Sequence, residues 1–126
     1  MVYPTVTGLS VSGNISGPLI DLNGADNVTI DGRINAVGST RSLVLDNTNN
    51  TSSTGVSTIR FVNSAINNNV QYCVVRGSEL SATSGVVFLS SSTLATGNSN
   101  NTIINNSITA SSDLNRPVNG VYSEGN

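Results

Sequence analysis

Short runs of aliphatic residues alternate with polar stretches along the whole chain. Typical runs are residues 19–22, 42–45, 58–62 and 86–89, and Gly, Asn, Asp or Ser bound most of them. Runs of four to eight residues rich in Val and Ile, bounded by such turn-forming residues, are typical of β-strands. Because no 3.6-residue periodicity persists long enough for a helix, the pattern predicts an all-β chain of strands and turns.

The strands recur as an imperfect internal repeat. Residues 70–75 and 103–108 share the form apolar, any, two small or turn-prone residues, any, apolar, and residues 30–34 show the same form one residue shorter. Each of these segments follows an Asn-containing lead, which itself follows an apolar run. The predicted unit is therefore a strand, an Asn-rich turn, a second strand and a short bend, with polar loops of variable length between units.

Such a repeat predicts coils of chain that stack on one another. Strands of neighbouring coils would pair in parallel about 4.8 Å apart, so that inward aliphatic side chains form a buried ladder along the stack. The residues expected in this ladder are Ile30, Val75, Ile103 and Ile108. Asn repeated at one coil position would also stack its side-chain amides into a hydrogen-bonded ladder.

The bends between strands require residues that accept a left-handed backbone. Glycine adopts this conformation freely, and asparagine adopts it more readily than most residues. The residues expected at the bends are therefore Gly32, Asn105 and Asn106.

We expect residues 1–126 to form one β-solenoid segment about three coils long. Residues 1–17 are expected to supply an edge or cap strand, and residues 18–126 the coils. A lone coil buries too few aliphatic side chains to offset the ordering of its backbone, so each coil needs a neighbour. The repeat stops within a unit at residues 120–126. This predicts an open C-terminal coil, a segment of a longer protein, and self-association through the open edge.

The composition argues against several classes of protein. Charged residues make up 10% of the chain and aromatic residues 4%, with no Trp or His and a net charge of -2. Dispersed arginines cannot form a phosphate-neutralising stripe, so we expect no nucleic-acid partner. No run approaches the roughly 18 apolar residues of a membrane span, so we expect none. Residues 1–17 also lack the basic region and apolar core of a signal peptide.

Residues 27–32, 58–73 and 97–108 resemble right-handed parallel β-helix repeats of the pectate-lyase-like superfamily. They are similar in particular to Asn-rich forms in secreted or surface proteins of Bacteroidota-type bacteria. The resemblance covers roughly residues 18–126 and implies a right-handed parallel β-helix at an extracellular or bacterial cell-surface location. The signal peptide would then lie outside this segment. Polysaccharide lyases, glycosidases, tailspikes, adhesins and repeats of no known activity share this coil, so the resemblance does not specify an activity.

A lyase of this superfamily implies calcium-binding Asp residues and an Arg or Lys base on one face. The corresponding candidates are Asp31, Arg33 and Arg76 for catalysis, and Asp21 and Asp31 for calcium. The structural interpretation is an Asp that begins a turn and an Arg that is a solvated ladder residue. We favour this interpretation and assign no catalytic residue, metal or cofactor, because no loop supplies the dense run of acidic oxygens that calcium favours.

Cys73 and the three tyrosines also have structural interpretations. Cys73 lies in an apolar run without a His or basic residue close in sequence, so we expect a small buried hydrophobe rather than a nucleophile. A single cysteine excludes an intrachain disulfide and leaves the redox compartment open. Tyr3, Tyr72 and Tyr122 would stack on sugars if exposed, although strand aromatics more often pack in the core.

The hypothesis that follows is a non-catalytic β-helix scaffold of an exported or cell-surface bacterial protein. It would act as a spacer or adhesin-like surface, with polysaccharide or another surface protein as its partner, since short polar side chains suit extended contact with carbohydrate. The alternative is part of a polysaccharide lyase or glycosidase whose catalytic coils lie partly outside this segment. Ice binding is disfavoured because no strand carries a Thr-x-Thr array in successive coils.

Overall fold

A computed structural model describes residues 1–91 and 96–125, and these residues form strands, turns and one short 3₁₀ turn. The 3₁₀ turn is Ile34–Ala36, and the described residues contain no α-helix. The strands are β1 (Leu9–Gly13), β2 (Pro18–Asn23), β3 (Thr29–Asp31), β4 (Leu43–Asn47), β5 (Ser57–Val62), β6 (Asn69–Gln71), β7 (Cys73–Gly77), β8 (Val87–Leu89), β9 (Thr102–Ile104), β10 (Ser107–Ala110) and β11 (Val121–Ser123). The all-β prediction is confirmed.

Each of three sheets takes every third strand of the chain. Sheet 1 has the order β1-β4-β7-β10, sheet 2 the order β2-β5-β8-β11, and sheet 3 the order β3-β6-β9. Every strand pair is parallel, as the repeat predicts. We call three consecutive strands, one in each sheet, a unit. Unit 1 holds β1 to β3, unit 2 holds β4 to β6, unit 3 holds β7 to β9, and β10 and β11 begin unit 4.

The apolar faces of the three sheets meet in one core. Leu45 of sheet 1, Ile59 and Phe61 of sheet 2, and Val70 of sheet 3 belong to a single cluster of buried side chains. Burial alternates along β4 and β7, which is the period of two that a strand with one inward face requires. Apolar burial therefore holds each strand with one face toward the other two sheets.

The residues expected in the buried ladder lie in two inward columns. Ile30 and Ile103 occupy one column of sheet 3, with β6 between them, and Val75 and Ile108 are direct partners in sheet 1. Ile30 and Val75 are buried, whereas Ile103 and Ile108 are half-buried. The difference arises because β9 and β10 are the last strands of their sheets.

Asparagine occupies the turn before each strand of sheet 3. Asn27, Asn67 and Asn100 all have left-handed backbones, with φ of 59°, 57° and 58°. Each lies two residues before its strand. The residue after this asparagine is Asn68 in unit 2 and Asn101 in unit 3, and both side chains point inward. Asn68 Nδ2 donates to Asn101 Oδ1 at 3.0 Å. The predicted amide ladder is confirmed for the step from unit 2 to unit 3.

The first bend differs from the prediction. The sequence pattern treats residues 30–34 as a shortened bend that ends in an apolar strand residue, which is wrong. Ile34 begins the 3₁₀ turn, and the strand that pairs with β7 starts at Leu43, the register partner of Cys73. Residues 32–42 are thus an insertion that folds back on the N-terminal segment, where Asn35 N–H donates to Pro4 O at 2.9 Å.

The N-terminal segment lies against unit 1. β1 is the edge strand of sheet 1, and Val2 forms an isolated parallel bridge with Ile30 of β3.

No helix within the described part of the chain is long and apolar enough to cross a membrane.

Candidate functional site

Asp31 and Arg33 form an ion pair where β3 ends and the insertion begins. Asp31 is fully buried, and its Oδ1 and Oδ2 accept hydrogen bonds from Arg33 Nε at 2.9 Å and Nη2 at 2.6 Å. The Arg33 backbone N–H donates to Oδ1 at 3.0 Å, and Gln71 Nε2 donates to Oδ2 at 2.7 Å. Four hydrogen bonds therefore occupy both oxygens of this carboxylate.

These hydrogen bonds determine the charge state of Asp31. The side-chain hydrogen bond from Arg33 lowers the pKa of Asp31 below its ordinary value of 3.8, in opposition to burial, which raises it. The carboxylate is ionised at neutral pH and is not a proton donor. Since its oxygens already accept four bonds within the protein, Asp31 is better suited to clamping the insertion than to holding calcium.

Arg33 also covers one face of an aromatic ring. Its guanidinium carbon lies 4.4 Å from the centroid of the Tyr72 ring, which is a favourable cation–π distance. Its Nη1 donates to Gly38 O at 3.3 Å, which ties the insertion to itself. Arg33 is therefore a structural residue of the insertion, and the ring face beneath it is not free to stack on a sugar.

The other tyrosines have different surroundings. Tyr3 is exposed, and Tyr122 is half-buried with its ring centroid 5.8 Å from that of Phe88. The two rings are tilted by 49°, which is a common packing arrangement for aromatic pairs.

The residues expected at the bends have three different roles. Gly32 is buried and does not have the left-handed backbone that we expected. At the equivalent bends of the next two units, the left-handed residues are Tyr72, with φ of 51°, and Asn105, with φ of 57°. A Cβ on Gly32 would collide with the Tyr72 carbonyl oxygen, so this glycine is needed for close backbone approach. Asn106 uses its side chain, whose Oδ1 accepts from Cys73 N–H at 2.8 Å.

The remaining candidate residues lie on other sheets. Arg76 is on β7 of sheet 1, whereas Asp31 ends β3 of sheet 3. Asp21 is on β2 of sheet 2 and pairs with Arg60, whose Nε and Nη2 donate to its two oxygens at 2.9 and 2.8 Å. The structure thus brings Asp31 and Arg33 together, but places Arg76 and Asp21 elsewhere. Within residues 1–91 and 96–125, no group of three or more His, Cys, Asp or Glu side chains is placed to hold a metal ion.

Cys73 is buried in the inward column of sheet 1. Its Sγ donates to Gln71 O at 3.3 Å. Burial, with a smaller contribution from the charge of Asp31, raises the pKa of the Cys73 thiol to about 12. Because the thiolate is the reactive form, this cysteine is an inert core residue.

Sequence reasoning did not identify the outer face of sheet 1 as a site. Ser12, Asp46, Arg76 and Thr109 are register partners across four adjacent strands. Ser12 and Thr109 are exposed, and the two charged residues are half-buried. The available signal is positional, because Asp46 and Arg76 each directly follow an inward residue of the buried ladder. We call these four residues the outer row.

Glu79, in the loop after β7, is a second feature that the sequence did not reveal. It is 1% exposed, and its Oε1 has no hydrogen-bond partner among the described residues. A Cβ at Gly77 would lie 2.6 Å from Glu79 Oε2, so the glycine leaves space for the carboxyl group. Burial raises the pKa of Glu79 to about 7.

Glu79 should make stability depend on pH near neutrality. Its pKa is about 7 when folded against an ordinary 4.5, so the folded protein binds this proton more tightly. The free energy of unfolding should therefore fall by about 2–3 kcal/mol as pH rises from 4.5 to about 7, and then level off. Urea denaturation followed by circular dichroism across this range measures the effect.

Glu79→Gln is the matched variant for this experiment, because it keeps the shape of the side chain and removes its titration. The difference in stability between the native protein and the variant should change with pH only in this window. Parallel pH profiles for the two proteins would contradict the assignment.

No protein-family model matches the chain, and comparisons with curated proteins and with solved structures find no match either. The parallel sheets agree with a β-helix, while membership of the pectate-lyase-like superfamily remains a prediction.

Proposed function

We propose that the chain is a section of a right-handed parallel β-helix, with each unit forming one coil. Parallel pairing of every third strand in all three sheets supports this proposal. The connection between the sheet 1 strand and the sheet 2 strand runs over residues 14–17 in unit 1 but over residues 48–56 in unit 2, and the strands on either side keep their register. Such tolerance of loop length is typical of solenoids, whose units contact only their neighbours.

We propose that this β-helix is a non-catalytic scaffold of an exported or cell-surface bacterial protein. The clamping of Asp31 by Arg33 and Gln71, and the raised pKa of Cys73, support structural roles for the residues most suited to chemistry. Within such a scaffold, the surface available for binding is the outer face of a sheet.

The outer row is proposed as a binding site for acidic polysaccharide. Strands spaced about 4.8 Å apart extend this row over about 14 Å, the scale of a few sugar residues. Its hydroxyl groups match those of a sugar chain as donors and acceptors. Asp46 accepts a hydrogen bond from Ser111 Oγ, whereas no described side chain pairs with the Arg76 guanidinium. A guanidinium recognises carboxylates with two parallel hydrogen bonds, which favours a polymer of uronic acids.

Binding to immobilised polysaccharides tests this function. The native chain should bind uronic-acid polymers more tightly than neutral glucans. Arg76→Gln should weaken that binding about 10-fold, the effect of losing one charge-assisted contact. Arg116→Gln is the matched control, because Arg116 is an exposed arginine in the loop after β10 and outside the outer row. We expect less than a 2-fold change for this variant.

Two results would contradict the proposal. One is the absence of binding to any polysaccharide, and the other is an equal loss of affinity in the two arginine variants. Release of unsaturated sugars from pectin or alginate would instead indicate the lyase alternative.

A further inference from the structure

Arg41 lies at the N-terminal ends of the sheet 1 strands and has no carboxylate partner among the described residues. The two ion pairs in that part of the chain use Arg33 and Arg60 instead. Arg41 is exposed, and its Nε donates to Asn105 O at 2.7 Å. Its Nη1 and Nη2 donate to no described acceptor, so these two nitrogens are free to bind a ligand.

The hydrogen bond to Asn105 holds the Arg41 guanidinium in one place. Arg41 comes two residues before β4, and Asn105 comes two residues before β10. Because β7 lies between β4 and β10 in sheet 1, the Arg41 side chain crosses the stack at the start of β7. A backbone carbonyl therefore positions this cation, and its charge remains unneutralised among the described residues.

Arg76 of the outer row lies toward the other end of the same strands. It is the fourth of the five residues of β7, and its register partner Thr109 comes four residues after Asn105. At about 3.3 Å per residue, this separation places the guanidinium groups of Arg41 and Arg76 roughly 10–13 Å apart along the strand direction. Sheet 1 thus carries one unpaired guanidinium near each end of its central strands.

The outer surface between the two arginines is apolar at its centre. Val44 and Val74 are register partners that come two residues before Asp46 and Arg76, and both valines are half-buried. A serine continues their row on each neighbouring strand. A sugar ring has apolar C–H groups on its faces and polar groups at its edge. It can therefore lie on the valines while its polar groups reach the side chains around them.

We propose, on the basis of the polysaccharide function above, that the bound acidic chain crosses sheet 1 along its strands and that Arg41 holds a second carboxylate of that chain. Arg76 holds the first carboxylate at the outer row, and the sugar rings between the two carboxylates lie on Val44 and Val74. Each guanidinium donates two parallel hydrogen bonds to its carboxylate. The second contact forms at a high effective concentration once the first has formed, so a chain that reaches both arginines binds more tightly than a shorter one.

Isothermal titration calorimetry with galacturonate oligomers of increasing length tests the second contact. The affinity of the native chain should rise about 10-fold at the length that first spans both arginines, the effect of one added charge-assisted contact. Arg41→Gln should remove this rise and leave the affinity for short oligomers unchanged. Arg76→Gln should weaken the binding of short and long oligomers alike. Circular dichroism establishes that each variant is folded.

Arg116→Gln is the control for net charge and should retain the rise, whereas methyl-esterified oligomers, which carry no carboxylate, should show no rise with any variant. An unchanged rise in Arg41→Gln would overturn the second contact, and a loss of affinity in Arg76→Gln would at the same time leave the proposed function intact. Equal weakening of short and long oligomers by Arg41→Gln would also overturn the second contact, because it would show that one carboxylate reaches both arginines. The absence of binding at every length would contradict the proposed function together with this contact.

Discussion

Gly32→Ala is expected to lower the free energy of unfolding by at least about 3 kcal/mol. An added Cβ would lie 2.6 Å from the Tyr72 carbonyl carbon and 2.9 Å from Cys73 Cα, and these are backbone atoms that cannot rotate away. The glycine itself is also held in place, since its N–H donates to Gln71 O at 2.8 Å and its carbonyl accepts from Ser42 N–H at 2.7 Å. Urea denaturation followed by circular dichroism measures the loss.

Gly17→Ala is the matched control for this substitution. No atom outside its chain neighbours lies within 4 Å of a Cβ added at Gly17. Its backbone is not left-handed either. The variant should therefore stay within about 0.5 kcal/mol of the native chain, or gain slightly from a less flexible unfolded state. Equal stabilities of Gly32→Ala and Gly17→Ala would show that the two peptide segments can separate without cost.

Asn68→Ala is expected to cost about 3 kcal/mol, the second largest effect. Asn68 is 1% exposed, and its Oδ1 accepts from Val28 N–H at 2.9 Å. Its Nδ2 donates to Ala25 O at 2.7 Å and to Asn101 Oδ1 at 3.0 Å. Alanine would leave several buried polar groups unpaired and open a cavity, and each unpaired group costs about 1–3 kcal/mol. Thermal and urea denaturation would both report the loss.

Two further variants define the cause of this effect. Asn68→Asp keeps the shape of the side chain but cannot donate to Ala25 O when ionised, so it should destabilise at least as much at neutral pH. Asn50→Ala, at an exposed loop position, should change stability by less than about 0.5 kcal/mol. A stable Asn68→Asp variant at neutral pH would mean that the amide hydrogen bonds contribute little.

The high Asn content has two structural causes. Asn27, Asn67 and Asn100 have left-handed backbones at the same place in three units. Asn68 and Asn101 instead satisfy buried backbone groups of the neighbouring unit through their side chains. Both roles repeat because the units repeat, so the composition follows from the architecture and requires no ligand.

The apolar pattern predicted most strands but underestimated their number in each unit. Residues 70–75 have the repeat form of apolar ends around two small or turn-prone residues, and in the structure β6 ends at Gln71 and β7 starts at Cys73, with the bend at Tyr72. This bend has a left-handed tyrosine, and β6 and β7 have no glycine or proline between them. Because turn-forming residues are the local signal of a bend, this bend is indicated only by the alignment of residues 70–75 with the bends of the other units. The predicted unit named two strands, whereas units 1 to 3 each contain three strands, one in each sheet.

The roles of the charged residues depended on contacts between distant parts of the chain. Asp31 and Arg33 are neighbours in sequence, but Gln71, which completes their clamp, comes 40 residues later. The burial of Glu79 likewise depends on the space left by Gly77 and on the loop that follows β10, whose Val118 N–H donates to Glu79 O at 3.1 Å. No local pattern distinguishes such a carboxyl group from a solvated one.

The sequence by itself determined that this protein is all-β, that its strands pair in parallel, and that Asn recurs where the chain turns. These features follow from the order of apolar and polar residues over a few positions, because side-chain direction alternates locally and turn residues act locally. Only the tertiary structure decided the number of sheets, the clamp on Asp31 and the burial of Glu79. Each of these depends on which units lie next to one another, and contacts between units join residues 30 to 40 positions apart.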